Sequence, residues 1–200
     1  MVFQGLDYRC SPRFRDGFAL RFERMVLMSK FYAGIGSRET PEDFLRLFRS
    51  AAKHLAQNNY TLRSGGADGA DMAFETGCKQ VNGPMEIYIP WPGFNNNSSP
   101  LSNIPDWAYK LAAQTHPAWE RCSQGGRKLH ARNCMQMFGQ DGNTPVEFVI
   151  CWTPQGSGSG GTGQALRLAQ RHNITVFDAG HYRTMEAAYA DLREFIKRKI

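Results

Sequence analysis

A chain of 200 residues is long enough for one domain with a real core, and its 42% apolar and 12% aromatic content is that of an ordinary globular protein rather than a fibrous or low-complexity one. No run approaches the ~18 consecutive apolar residues of a membrane helix. The opening MVFQGLDYRCSPRFRDGFALRF lacks the apolar centre of a secretory signal, so a cytoplasmic protein with no membrane partner is expected.

The net charge is +6, and residues 1–30 hold six Lys/Arg against three acids, so half of the excess lies in that short stretch. Residues 1–28 therefore read as a basic arm. It can bind nucleic acid through phosphates, be a loosely ordered tail, or be an upstream extension of a chain starting at Met25 or Met28. The five cysteines are odd in number and scattered, unlike a secreted disulfide framework. Zinc bound by Cys122, His130 and Cys134 is discounted because no Cys-x-x-Cys pair occurs, and no metal is expected.

From residue 31 the signals alternate. FYAGI (31–35) is a buried-strand run ending near glycine. A helix follows, with Thr40 as N-cap, Pro41 in the first turn and an apolar face of Phe44, Leu47, Phe48, Ala51, Ala52 and Leu55. Asn58 and Asn59 end it. YTLR (60–63) is the second strand and ADMAFETGCKQV the second helix. MEIYIP (85–90) is the third strand. The Pro/Asn/Ser-rich loop WPGFNNNSSPLSNIP has the length of a functional loop. Two helices make an insert at about 106–139. VEFVICW (146–152), a helix at about 162–172, ITVFD (174–178) and a helix at about 184–198 complete the chain. The order implies an α/β, Rossmann-like, mainly parallel sheet with helices on both faces, in a single domain spanning 29–200.

Three glycine-rich loops follow strands: GIGSR (34–38), SGGADGAD (64–71) and GSGSGGTG (156–163). In an open parallel sheet such loops share one edge, where ligands bind. Glycine lets amides approach an anion, and a helix N-terminus favours negative charge. Ser37, Ser64, Ser159 and Thr162 add hydroxyl donors, and Arg38 offers a planar fork to a phosphate. Glu39 stands where a dinucleotide fingerprint needs its third glycine, which argues against NAD in the usual mode, and no G-x-x-x-x-G-K-[ST] occurs, so a P-loop ATPase is excluded. Asp68 and Asp71 either cap a helix or accept hydrogen bonds from a ligand. Glu75 lies one turn after Asp71, a pairing that could serve acid–base work. Arg127, Lys128 and Arg132 share two turns of a helix. Trp91 and Phe94 either stack on a base or pack the long loop down.

YAGIGSRETP, LRSGGADGADMAFE and GGTGQALRLA…ITVFD resemble the SLOG superfamily of Rossmann-like domains over roughly residues 30–178. Within it the chain looks nearest to phage and bacterial proteins related to DNA-processing protein A and to the YspA-like group. The resemblance implies a pocket for nucleotides, nucleotide-derived signals or single-stranded nucleic acid. Its ligand-facing positions would be Gly36, Ser37 and Arg38; Ser64, Gly65, Gly66, Asp68, Gly69 and Asp71; Arg132 and Asn133; and Gly160, Gly161, Thr162 and Gly163. The more distant lonely guy phosphoribohydrolases carry Pro-Gly-Gly-x-Gly-Thr-x-x-Glu. Here Ser159, Gln164 and Arg167 replace its Pro, Thr and catalytic Glu, which argues against glycosidic cleavage by that route. The expectation is a nucleotide-binding sensor or sequestering protein without a cofactor. A single-stranded DNA binder and a nucleotide N-glycosidic hydrolase are the alternatives, and a homodimer stays open.

Overall fold

The computed structural model describes residues 30–200, so the basic arm lies outside the described residues. Five strands form one sheet: β1 (Lys30–Gly34), β2 (Tyr60–Ser64), β3 (Met85–Ile87), β4 (Phe148–Cys151) and β5 (Thr175–Asp178). All neighbours pair in parallel, in the order β3-β2-β1-β4-β5. The helices among the described residues are α1 (Glu42–Gln57), α2 (Ala70–Lys79), α3 (Asp106–Thr115), α4 (Gln124–Phe138), α5 (Thr162–Arg171) and α6 (Met185–Lys197). The protein is an α/β, Rossmann-like fold.

Strand alternation divides the core into two layers. Tyr32, Phe148 and Ile150 face a cluster with α1, α2 and α6, whereas Ala33, Val149 and Cys151 face a second cluster with α3, α4 and α5. Strands covered on both faces read as continuous apolar runs, which is why β4 is FVIC. The six apolar residues of α1 read from the sequence are all buried. Phe48 stacks on Phe74 of α2 at 4.6 Å between ring centres. The two helices come this close because α2 carries Gly77, where a Cβ would lie 2.1 Å from the Arg49 carbonyl oxygen.

Two local expectations differ from the structure. Thr40 does not cap α1; its hydroxyl donates to the Ser37 carbonyl at 2.7 Å, and Pro41 occupies the cap position without a side-chain bond. The third strand ends at Ile87. The Tyr88 amide still donates to Ser64, but the Ile89 amide turns to the Leu101 carbonyl, tying the long loop back onto the sheet. Phe94 in that loop is buried and packs the loop down, while Trp91, which meets it edge-on at 5.2 Å, stays exposed.

Candidate functional site

β1 sits centrally, and chain order reverses between β1 and β4. The loops leaving two neighbouring strands diverge at such a point and open a crevice. A cavity of about 700 Å³ lies there. Gly36, Ser37, Arg38 and Glu39 line it from the loop after β1. Ser159, Gly160, Gly161 and Thr162 line it from the loop before α5, and Arg132, Asn133 and Gln136 from α4. Ile35, Ala67, Leu129, Pro154 and Ala165 give it an apolar part.

Arg132 is 5% exposed and so almost wholly withdrawn from bulk water. Its Nη1 pairs with Asp71 Oδ2 at a long 3.4 Å, and its guanidinium lies 6.0 Å from the Phe94 ring centre. Its Nε is buried with no partner. Burial pushes the guanidinium pKa down, with Asp71 pulling it back up. Asp71 is 3% exposed, and burial raises its carboxyl above the usual carboxylate value. The Arg132 charge and the Ala67 and Gly36 amides oppose that rise. The Gly36 amide donates to Asp71 Oδ1 at 3.2 Å, so Asp71 joins the β1 loop to α4 rather than capping α2.

Gln136 completes the floor. With its amide oriented to satisfy both ends, its oxygen accepts from the Gly65 amide (2.9 Å) and Arg132 Nη1 (3.1 Å). Its nitrogen then donates to Asn133 Oδ1 (3.0 Å). Asn133 Nδ2 donates to the Gly161 carbonyl at 2.9 Å, which fixes the third glycine loop against α4. The base of that loop is held by Asp178 at the end of β5. Asp178 accepts from the Thr153 amide at 2.9 Å and from the Thr153 hydroxyl, and the same hydroxyl accepts from the Gly158 amide at 3.0 Å. Among the described residues, the amides of Ser159, Gly160 and Gly161 have no protein acceptor.

The three loops thus divide their labour. The third lines the cavity with the exposed residues Ser159, Gly160 and Gly161. In the first, the Gly36 amide is committed to Asp71 and the Ser37 amide to the Trp152 carbonyl at 3.0 Å. From the second, Ala67 and Asp71 line the cavity, whereas Ser64, Gly65, Gly66, Asp68, Gly69 and also Gly163 do not. The Ser64 hydroxyl donates to the Gly34 carbonyl at 2.7 Å, and Asp68 is exposed. Gly65 makes room for Arg132: a Cβ there would lie 1.2 Å from Nη1. Gly69, at φ +79°, lets the Ser37 carbonyl approach. Glu75 is buried, bound by Lys79 and by Asn97, and away from the cavity lining. Arg127 pairs with Glu120 at 3.3 Å. Arg167, at the position of the phosphoribohydrolase glutamate, donates to the Thr115 carbonyl at 3.2 Å and does not line the cavity either.

Gln136, His116 and His130 were not singled out as cavity residues from the sequence. A signal for Gln136 exists, since it lies one turn after Arg132 on the same face of α4. His116 and His130 meet only through tertiary packing, with ring centres 4.2 Å apart. Cys122 joins them, its Sγ 3.7 Å from His116 Nδ1. Cys134 lies elsewhere, with its Sγ facing the His130 carbonyl at 3.6 Å and Gln164 Nε2 at 3.9 Å. Burial and the His116 charge push the His130 imidazole pKa below its ordinary value.

No protein-family model matches the chain. No curated protein matches it either. Among solved structures it is similar to DNA processing protein A from Helicobacter pylori, described for its unique single-stranded DNA binding mode. Identity is 20% and the TM-score 0.49, over 78% of this chain and 67% of that one. None of the described helices is long and apolar enough to cross a membrane.

Proposed function

We propose that the cavity binds a nucleotide or nucleotide-derived ligand through its phosphate, and that the protein acts as a sensor or sequestering protein for it. The observation that carries this reading is Arg132. A buried cation with a long ion pair and an orphaned Nε is expensive to hold, and an incoming anion would relieve it. The free amides of Ser159, Gly160 and Gly161 give the same anion a second wall, and Arg38 gives it an exposed fork. The apolar part of the lining suits a base or sugar face. The volume of about 700 Å³ falls within the usual range for small-ligand pockets.

Mass spectrometry of the small molecules released when the purified protein is denatured tests this reading, with a phosphate-bearing compound at near one equivalent expected. A second reading, single-stranded DNA binding, is favoured by the net charge of +6. The two separate in a salt titration. DNA affinity would fall steeply with salt, with a slope set by the number of neutralised phosphates, while a pocket ligand would respond far less. Release of no small molecule, together with a steep salt slope for DNA, would overturn the first reading in favour of the second.

A further inference from the structure

We propose that His116, Cys122 and His130 form a three-ligand site for one divalent transition-metal ion of the zinc class, with its fourth position open to the cavity. His116 ends α3, Cys122 closes the short turn Trp119–Arg121, and His130 projects from the second turn of α4. Their ligand atoms all lie within 4.8 Å of one another.

The spacing suits a metal. With Zn–N of about 2.05 Å and Zn–S of about 2.3 Å, a tetrahedral angle separates nitrogen from sulfur by about 3.5 Å. His116 Nδ1 and Cys122 Sγ are 3.7 Å apart, long for a hydrogen bond to a thiol yet close to that span. His116 Nδ1 also accepts from the Ala118 amide at 3.2 Å, and coordination through this nitrogen exchanges that bond for the metal. His130 Nδ1 is buried with no hydrogen-bond partner. The Gln164 carboxamide oxygen is likewise buried and unpartnered, and the Gln164 side chain lies within reach of the His130 ring, an acceptor for the nitrogen that keeps its proton.

The ligand set of two imidazoles and one thiolate suits zinc or cobalt rather than magnesium or calcium. Cys122 is the one free cysteine among the described residues that is not buried, so its thiol can pass its proton to water as the metal–sulfur bond forms. His116 and His130 line the cavity. Three protein ligands leave one position of a tetrahedron vacant, the pattern of zinc sites that meet a substrate or water. The site rests on these residues alone and does not require the anion reading.

The full-length protein, stripped with a chelator and dialysed into phosphate-free buffer, is titrated with Co²⁺. One equivalent is expected to bind with a thiolate-to-cobalt charge-transfer band and the intense visible bands of a four-coordinate ion. Cys122→Ser should abolish the charge-transfer band. His130→Ala should weaken binding by more than the roughly 100-fold that loss of an outer-shell partner can cause. Cys134→Ala should keep the band, since its sulfur lies outside the cluster. Circular dichroism checks the fold of each variant. Independently, Zn²⁺ should raise the melting temperature of the unmutated protein, and a chelator should reverse the rise. Absence of the band in the unmutated protein, its survival in Cys122→Ser, or its loss in folded Cys134→Ala would overturn the proposal.

Discussion

Replacing Gly65 by Ala moves the Arg132 head group without removing it. The backbone at Gly65 does not need a positive φ, so alanine meets no conformational barrier there. Its methyl group does meet atoms: Arg132 Nη1 at 1.2 Å, Cζ at 2.4 Å and the Gln136 carboxamide at 2.6 Å. An ordinary contact needs about 3.5 Å, so the guanidinium must retreat by about 2 Å. A pair that already spans 3.4 Å to Asp71 does not survive that retreat. Breaking a buried ion pair costs about 3–5 kcal/mol. Taking about 3 kcal/mol, and 2–4 °C per kcal/mol for a domain of this size, the melting temperature should fall by roughly 6–12 °C. A hydrogen bond from a charged group to phosphate contributes about 1.5–3 kcal/mol, so nucleoside monophosphate affinity should drop by about 10- to 100-fold. Thermal unfolding and calorimetry read the two effects. A Gly65→Ala protein with unchanged melting temperature and unchanged affinity would refute the role given to Arg132.

Gly161 is the control: its φ is −62° and a Cβ there meets nothing within 4 Å, so Gly161→Ala should leave stability within about 0.5 kcal/mol by chemical denaturation. Any loss of affinity in it then reports the approach of a ligand to the loop. Gly77→Ala should destabilise by at least about 1–3 kcal/mol, because its methyl would drive α2 off the Arg49 carbonyl. A denaturation midpoint equal to that of the unmutated protein would contradict the close packing. In metal-free protein the His130 ring should titrate below the ordinary ~6.5, read by NMR of the histidine ring protons. The unfolded chain then binds that proton more readily than the folded one, so the contribution is present above about 6.5 and lost as pH falls from there through the folded value. A His130 midpoint at or above the ordinary value would contradict the burial that lowers it.

The strands and helices were legible because each obeys one period. β1 and β4 alternate between two apolar layers, and α1 repeats its buried face every three or four residues. Of the candidate residues, Arg132 and Asn133 on α4 line the cavity, as do Gly160, Gly161 and Thr162. Glycine was ambiguous. Nothing in SGGADGAD says whether a missing side chain clears space for a ligand or for the protein itself. In the structure Gly65 and Gly69 do the second, for Arg132 and for the Ser37 carbonyl. Asp71 reads from the sequence as either a cap or a ligand acceptor, because sequence shows its neighbours and hides Arg132, which stands 61 positions away. The His116–Cys122–His130 cluster has no short-range spelling at all, since it needs a turn folded back against a helix.

Pairing of β1 with β4 has a consequence for the order of assembly. Tyr32 is in register with Phe148, so one side of β1 lacks its partner strand until 116 further residues have been made. At ~5–20 residues per second, translation leaves that backbone edge uncovered for on the order of ten seconds. An unpaired, apolar strand edge is a template for other chains. The nascent chain therefore passes through a window in which that edge can pair wrongly, and slowing translation between β3 and β4 should lengthen the window and lower the soluble fraction.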